Sequence, residues 1–234
     1  MSKTVCISDI SVKTVRKDIK NIHLGVYPPD GKVRMAIPTK TSNEYIRLFL
    51  ISKERWIKKK QAELAKIQRP SPREYVTGET HYVFGKKYRL DVIMSSDKPK
   101  ISIRKKTHIE MYVRDDSTIK QREKILEAYY RSELNRQILK TVKKLELKLG
   151  VKTKQVKVRK MKTKWGTCNP GKHHITLNLE LVKKPTNCIE YVIVHELTHL
   201  LERKHSEKFN SIVKRTIPNW KSVKNELNSL PIKF

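Results

Sequence analysis

Cysteine is scarce in this chain: Cys6, Cys168 and Cys188 are the only three in 234 residues. Their odd number and wide spacing argue against a disulfide framework and against a C-x-x-C metal or redox pair, and predict free thiols in a reducing compartment. Long apolar runs are also missing. The longest candidate, Ile46 to Ile51, falls far short of the ~20 residues that a membrane span needs. The opening residues lack the apolar core and cleavage site of a signal peptide, so a cytoplasmic protein with no membrane partner is expected. Acidic residues are few, 23 against 53 lysines and arginines, which leaves a formal net charge of +30. Such a field attracts polyanions and supports non-specific, salt-sensitive association with nucleic acid. The lysines, however, are scattered through every segment instead of forming one patch, and a lysine-rich composition explains the charge equally well.

The first forty residues alternate short β-branched runs with turn signals: Thr4 to Ile7, Ile19 to Val26 and Lys32 to Ile37, the last two separated by Pro28-Pro29-Asp30-Gly31. They predict an antiparallel sheet. From Ser42 the spacing of Ile46, Phe49, Leu50, Trp56 and Ile57 predicts a helix, capped by Ser42 or Asn43 and ended before Pro70. Pro70 and Pro72 then break regular structure. A hairpin is expected around Gly85, with further strands at Lys100 to Arg104 and His108 to Val113.

A long helix is expected from Ile119 to Leu149, with Thr118 and Gln121 forming a capping box and Gly150 stopping it. Ile125, Tyr129, Ile138, Val142, Leu145 and Leu149 mark its apolar face, which makes Tyr129 core and Tyr130 surface. Strands follow near Gln155 to Arg159 and His174 to Leu179. A buried helix over 188–203 is capped by Asn187 with Glu190 at the capping-box position, and Ser206 caps the next helix. No internal repeat is apparent. The whole predicts an α+β protein: a β-rich N-terminal region with one helix over 1–116, and a second unit over 117–234 containing the long helix, a small sheet, the buried helix and C-terminal helices.

That buried helix carries His195-Glu196-Leu197-Thr198-His199, an H-E-x-x-H pattern. Positions four apart on a helix lie about 40° apart and one turn up, so both imidazoles can reach one ion. Glu196 projects about 100° round from His195, close enough to bond a metal-bound water without ligating. A zinc ion there would lower the water's pKa toward ~7 while the carboxylate takes the proton. Catalytic zinc sites want three protein ligands and one open position, and three of the eight histidines fall between 195 and 205. His205 is the expected third ligand, provided that the helix breaks around Leu201 to Lys204; Ser206 as a new cap fits that break. The spacing equals that of metzincins, but Glu202 stands where their glycine would be. Glu202 and Cys168 remain rival ligands.

Lys164-Trp-Gly-Thr-Cys168, Ile175-Thr-Leu-Asn-Leu179, Tyr191 to Leu200 and Lys204-His-Ser-Glu-Lys-Phe209 together resemble the C-terminal half of the YgjP-like metallopeptidases, relatives of the WLM and SprT-type zincins. Lys164 and Lys204 depart from the arginine and asparagine usual there. The resemblance implies a zincin-like C-terminal unit, one Zn2+ per chain on His195, His199 and His205, Glu196 as catalytic base, and a peptide or protein substrate. The SprT and WLM relatives act on proteins crosslinked to DNA. The alternative reading is therefore a nucleic-acid-associated protein: a DNA-linked protease, or a DNA-binding protein with a vestigial zinc site. Trp165 and Gly166 are candidates for an edge strand on which an extended peptide docks. Tyr191, one turn before His195, can approach the site or pack in the core. His173 and His174, just after a turn, are expected at the surface.

Overall fold

In the computed structural model, residues 2–27, 30–65 and 73–229 are described. The expected Pro28-Pro29 turn and the Pro70–Pro72 break lie outside them. The chain divides between residues 70 and 71 into two compact units, not at the 116/117 boundary expected from the sequence.

The first unit contains β1 (Ser2–Ile7), β2 (Ile10–Lys17), β3 (His23–Tyr27), β4 (Lys32–Pro38) and α1 (Asn43–Ala65). The sheet runs β1-β2-β4-β3. It is mixed, not antiparallel as expected, because β2 and β4 pair in parallel, with Val12 opposite Val33. Ile10, Val12, Val33, Met35 and Ile37 from the sheet pack with Ile46, Leu50 and Ile57 of α1 in one core. The Ser42 hydroxyl accepts from the Tyr45 backbone N–H at 3.2 Å, which settles the cap on Ser42.

The second unit opens with β5 (Thr80–Val83), β6 (Lys86–Met94), β7 (Lys100–Arg104) and β8 (His108–Val113), followed by α2 (Ile119–Leu149). This sheet runs β5-β6-β8-β7, again with a parallel central pair. Both units thus begin with the same four-strand order followed by a long helix, a repeat the residues do not display as sequence similarity. The remaining elements are β9 (Gln155–Arg159), β10 (Gly166–Asn169), β11 (His174–Asn178), a 3-10 turn (Leu179–Lys183), α3 (Thr186–Thr198), α4 (Glu207–Thr216) and α5 (Trp220–Ser229). The chain is therefore α+β, with five helices and several small sheets among the described residues. Among the described residues, no helix is long and apolar enough to cross a membrane.

α2 is capped as its sequence dictates. Thr118 and Gln121 satisfy each other's backbone N–H groups, and Gly150 adopts φ 66°, the left-handed C-cap that costs glycine least. Its inward stripe is Leu126, Tyr130, Leu134, Ile138, Val142, Leu145 and Leu149. The first half of the helix is thus rotated by one position from the expected face: Tyr130 is core, and Tyr129 is only partly buried. The Tyr130 hydroxyl remains satisfied inside by His81 Nδ1 at 3.3 Å. Ile109 and Met111 of β8, Ile175 and Leu177 of β11, and Ile189, Ile193 and Leu197 of α3 share one core with this stripe. Burial of each such side chain stabilises the fold by about 1.5–3 kcal/mol before entropy is counted. That shared core is why β5–β8 belong with the C-terminal helices.

Candidate metal centre

α3 is buried nearly all round: Ile189, Val192, Ile193, Val194 and Leu197 are each at most 3% exposed. A helix enclosed in this way is held rigidly, so the polar groups it carries are fixed against the core. It begins at Thr186 after Pro185, whose ring suits a helix start. The expected Asn187 cap is not formed; Asn187 Nδ2 instead donates to Glu226 of α5 at 2.9 Å. The helix also ends earlier than the expected residue 203. After Thr198 the turns tighten, with Leu200 N–H donating to Leu197 and Leu201 N–H to Thr198, both at 3.0 Å. The Thr198 hydroxyl donates back to the Val194 carbonyl at 2.7 Å, a bond that bends helices and competes with their continuation. Ser206 then starts α4, accepting from the Phe209 N–H at 3.3 Å.

This break returns His205 to the helix. One ligand-capable atom from each of His195, His199 and His205 lies within 4.8 Å of the others, and His195 Nε2 and His205 Nε2 are 3.0 Å apart. Two nitrogens each ~2.0–2.1 Å from a tetrahedral ion lie about 3.3 Å apart, close to this spacing. His199 Nδ1 must carry the proton, because it faces the Glu202 carbonyl at 3.2 Å and a carbonyl can only accept. Its Nε2 is then a lone pair available to a ligand, the arrangement that orients metal-binding imidazoles. Burial, and secondly the neighbouring imidazoles, push the His195 pKa down to about 4; burial likewise lowers His199. Neutral imidazole is the ligating form. The ring of Phe209 lies 4.8–5.0 Å from all three imidazole centroids and packs the cluster from one side. The donor set fits a divalent transition metal.

Glu196 is only 5% exposed. Burial raises its carboxyl to about 7, against a smaller opposing effect of the Lys164 ammonium. A Cβ added to Gly166 would lie 2.6 Å from Glu196 Oε1 and 2.7 Å from its Cγ, so the missing side chain of Gly166 is what makes room for this carboxylate. Gly166 opens β10, one of the two edge strands of a sheet ordered β10-β11-β9.

The other sequence candidates fall on both sides of the site. Trp165 and Tyr191 line a cavity with His195 and Glu196, and the Tyr191 ring also stacks on Trp220 at 6.5 Å. Glu202 turns its side chain to the Lys204 N–H at 3.2 Å; it serves His199 through its backbone. Cys168 does not join the histidine group; burial first and Glu196 second raise its thiol to about 11. All three cysteines are free. His173 Nδ1 meets the Lys152 carbonyl at 3.1 Å, and neither His173 nor His174 joins the histidine group.

The sequence assigns no role of their own at the site to Asn178, which it shows only within the Ile175 to Leu179 motif, or to Trp220 and Lys224. Asn178 is fully buried. Its Nδ2 donates to the Met161 and Lys164 carbonyls, both at 2.8 Å, and its Oδ1 accepts from Met161 and Glu180, both at 3.2 Å. It thereby ties down the loop that delivers Trp165 and Gly166. A polar residue closing an apolar strand was the available signal. Trp220 and Lys224 carry no local signal, since α5 reaches the site only through tertiary packing.

Comparison with known proteins follows the same lines. A search of curated proteins found none that matches. Among solved structures, the metallopeptidase zymogen of Pyrococcus abyssi abylysin is 22% identical with a TM-score of 0.36, over 38% of this chain and 89% of that one. The metallopeptidase zymogen of Methanocaldococcus jannaschii jannalysin is 18% identical at the same TM-score, over 39% and 93%. Likenesses this slight carry no argument. The YgjP-like metallopeptidase domain, by contrast, matches residues 20–230, and the chain belongs to the YgjP-like metallopeptidase family.

Proposed function

We propose that this metallopeptidase is a zinc enzyme in which His195, His199 and His205 hold one ion and Glu196 is the general base. The observation that carries the reading is the convergence of three imidazoles, within 4.8 Å, next to a buried carboxylate on the same helix. When bound, a zinc ion supplies Lewis acidity toward a carbonyl oxygen and toward water. The chain's own groups do the rest. Glu196 accepts the proton of the attacking water and returns it to the leaving amine, a task suited to a carboxyl whose pKa is raised toward neutrality. Phe209 packs against all three imidazoles from one side and leaves His205 open to solvent. The free edge of β10 offers backbone N–H and C=O groups to an extended peptide, beside the Gly166 gap where Glu196 lies. The reading of a nucleic-acid-associated protein has the net charge in its favour, and no geometry among the described residues adds to it.

The direct test is metal content with activity. Purified protein is expected to hold about one zinc per chain by elemental analysis and to cleave unstructured peptides; chelation should abolish cleavage and zinc should restore it. Stoichiometric zinc with no cleavage across a broad peptide library would refute the reading.

Gly166→Ala provides a sharper probe of geometry. The added methyl group collides with Glu196, while an edge-strand position can take the extra carbon without loss of the fold. A displacement of about 1 Å at a catalytic group can cost 10²-fold in rate. The variant is therefore expected to keep its zinc and its Tm within a few degrees while kcat falls between about 10- and 100-fold. Wild-type kcat in Gly166→Ala would show that Glu196 is not fixed by this contact.

A further inference from the structure

Beside the histidine cluster lies a cavity of about 220 Å³. Its base is apolar, formed by Val192 and Leu227, both at most 3% exposed, and its sides include Trp165 and Tyr191. Two ammonium-bearing side chains line it from separate elements: Lys164 from the loop before β10, and Lys224 from α5. Glu196 is the single acidic residue in the lining. Neither lysine is part of an ion pair among the described residues, although elsewhere on the surface lysines do find carboxylates, as Lys58 does with Asp9 and Glu54.

From this arrangement we infer that the cavity is a carboxylate-binding subsite, in which Lys164 and Lys224 select an acidic group of the peptide, carried on a side chain or at the chain terminus. The inference rests on the peptidase reading and names part of its substrate class. An apolar base with cations at its margin matches a carboxylate on a short methylene stem. The stem lies against Trp165, Tyr191 and Leu227, and the charge meets two ammonium groups that form no ion pair among the described residues. Both lysines are tied to the site, Lys164 through its backbone and Lys224 through its side chain. Asn178 holds the Lys164 carbonyl at 2.8 Å, and the Lys224 ammonium sits 5.9 Å from the centroid of Trp220, whose ring stacks on Tyr191. A substrate carboxylate near Glu196 would meet repulsion, and two flanking ammonium groups offset it.

The test uses the full chain with Glu196→Gln, loaded with zinc, so that labelled peptides bind without being cleaved. Peptides of one length carry Glu, Gln or Lys at a single scanned position, each made as the free acid and as the amide, and fluorescence anisotropy reads Kd. A charge-assisted contact predicts about tenfold tighter binding of the acidic member. Preference for Glu over Gln at one position identifies a side-chain carboxylate; preference for free acid over amide identifies the chain terminus. Lys164→Glu combined with Lys224→Glu should reverse the preference toward Lys or the amide, and the double Lys→Arg variant should retain it. Binding of all peptides within twofold, no binding, or a preference that survives the charge reversal in a protein of unchanged Tm overturns the proposal. If the preference is present but the zinc-loaded parent chain cleaves nothing, the peptidase reading fails and the subsite stands. Cleavage without any acidic preference has the opposite meaning.

Discussion

Glu196→Gln is expected to keep its full complement of zinc and to lose about 10²–10⁴-fold in kcat, the range that general base catalysis contributes. Gln keeps the shape of the side chain against Gly166 and removes the proton acceptor, so a loss of rate with retained metal isolates the chemical role. The parent protein's pH profile has a defined sign. The base form is the carboxylate, populated above its pKa, so kcat/KM should rise with pH through that value. Burial places it at about 7 in the metal-free chain, and a dication on the adjacent histidines favours the charged form and draws it lower. The acid limb should therefore fall below pH 7, and it should vanish in Glu196→Gln. Stability moves the other way. A carboxyl whose folded pKa is raised above its unfolded value of about 4.5 weakens the metal-free fold as pH rises from that value through about 7. Glu196→Gln should accordingly melt higher than the parent above pH 7 when both lack metal. Undiminished turnover in the variant would remove Glu196 from the mechanism.

Where the chemistry of a feature is local, the sequence is a good guide to this fold. Thr118 with Gln121, Gly150, Ser42 and Ser206 each act within four residues of themselves, and each caps or ends a helix as expected. Failures arise where a distant partner decides. Asn187 has the right chemistry for an N-cap, but Glu226 on α5 takes its amide. β2 was hidden by the polar Thr14 in an otherwise alternating strand. That residue is buried at no great cost because its hydroxyl donates to the Lys3 carbonyl at 2.6 Å. In α2 the paired tyrosines 129 and 130 offer two phases for one stripe, and His81, almost fifty residues away, draws Tyr130 inward. The domain boundary is of the same kind, since it is the core that Leu90, Ile109, Met111 and Val113 share with α2 and α3 that places the second sheet in the C-terminal unit. At the site, the helix positions of His195, Glu196 and His199 follow from spacing alone, whereas the Gly166 gap, the Asn178 tether and Lys224 exist only once β10, β11 and α5 have packed.

His205 separates the two kinds of information, and its removal should have the second large effect. His195 lies within α3, a helix locked in the core, and His199 caps its end. His205 is exposed, and it depends on the chain leaving α3 after Thr198 and restarting at Ser206. If all three imidazoles ligate, His199→Ala and His205→Ala should each fail to retain zinc after dialysis against a moderate chelator, with affinity reduced by at least about 100-fold, since loss of even an outer-shell partner can cost 10–100-fold. The two variants should differ in recovery. His199→Ala also frees the Glu202 carbonyl and removes a ring packed on Phe209, so its metal-free Tm should fall. His205→Ala also removes a ring from Phe209, but an exposed one with no backbone partner to strand among the described residues, so that Tm should fall less. Parent-like zinc affinity in His205→Ala would hand the third position to another group. The two rivals are then told apart by adding Glu202→Ala or Cys168→Ala to that background. Neither is placed for the task in the folded chain: the Glu202 carboxylate caps the Lys204 N–H, and Cys168 lies outside the histidine group. Abrupt loss of zinc with His205 alone is thus the outcome that the loop geometry favours.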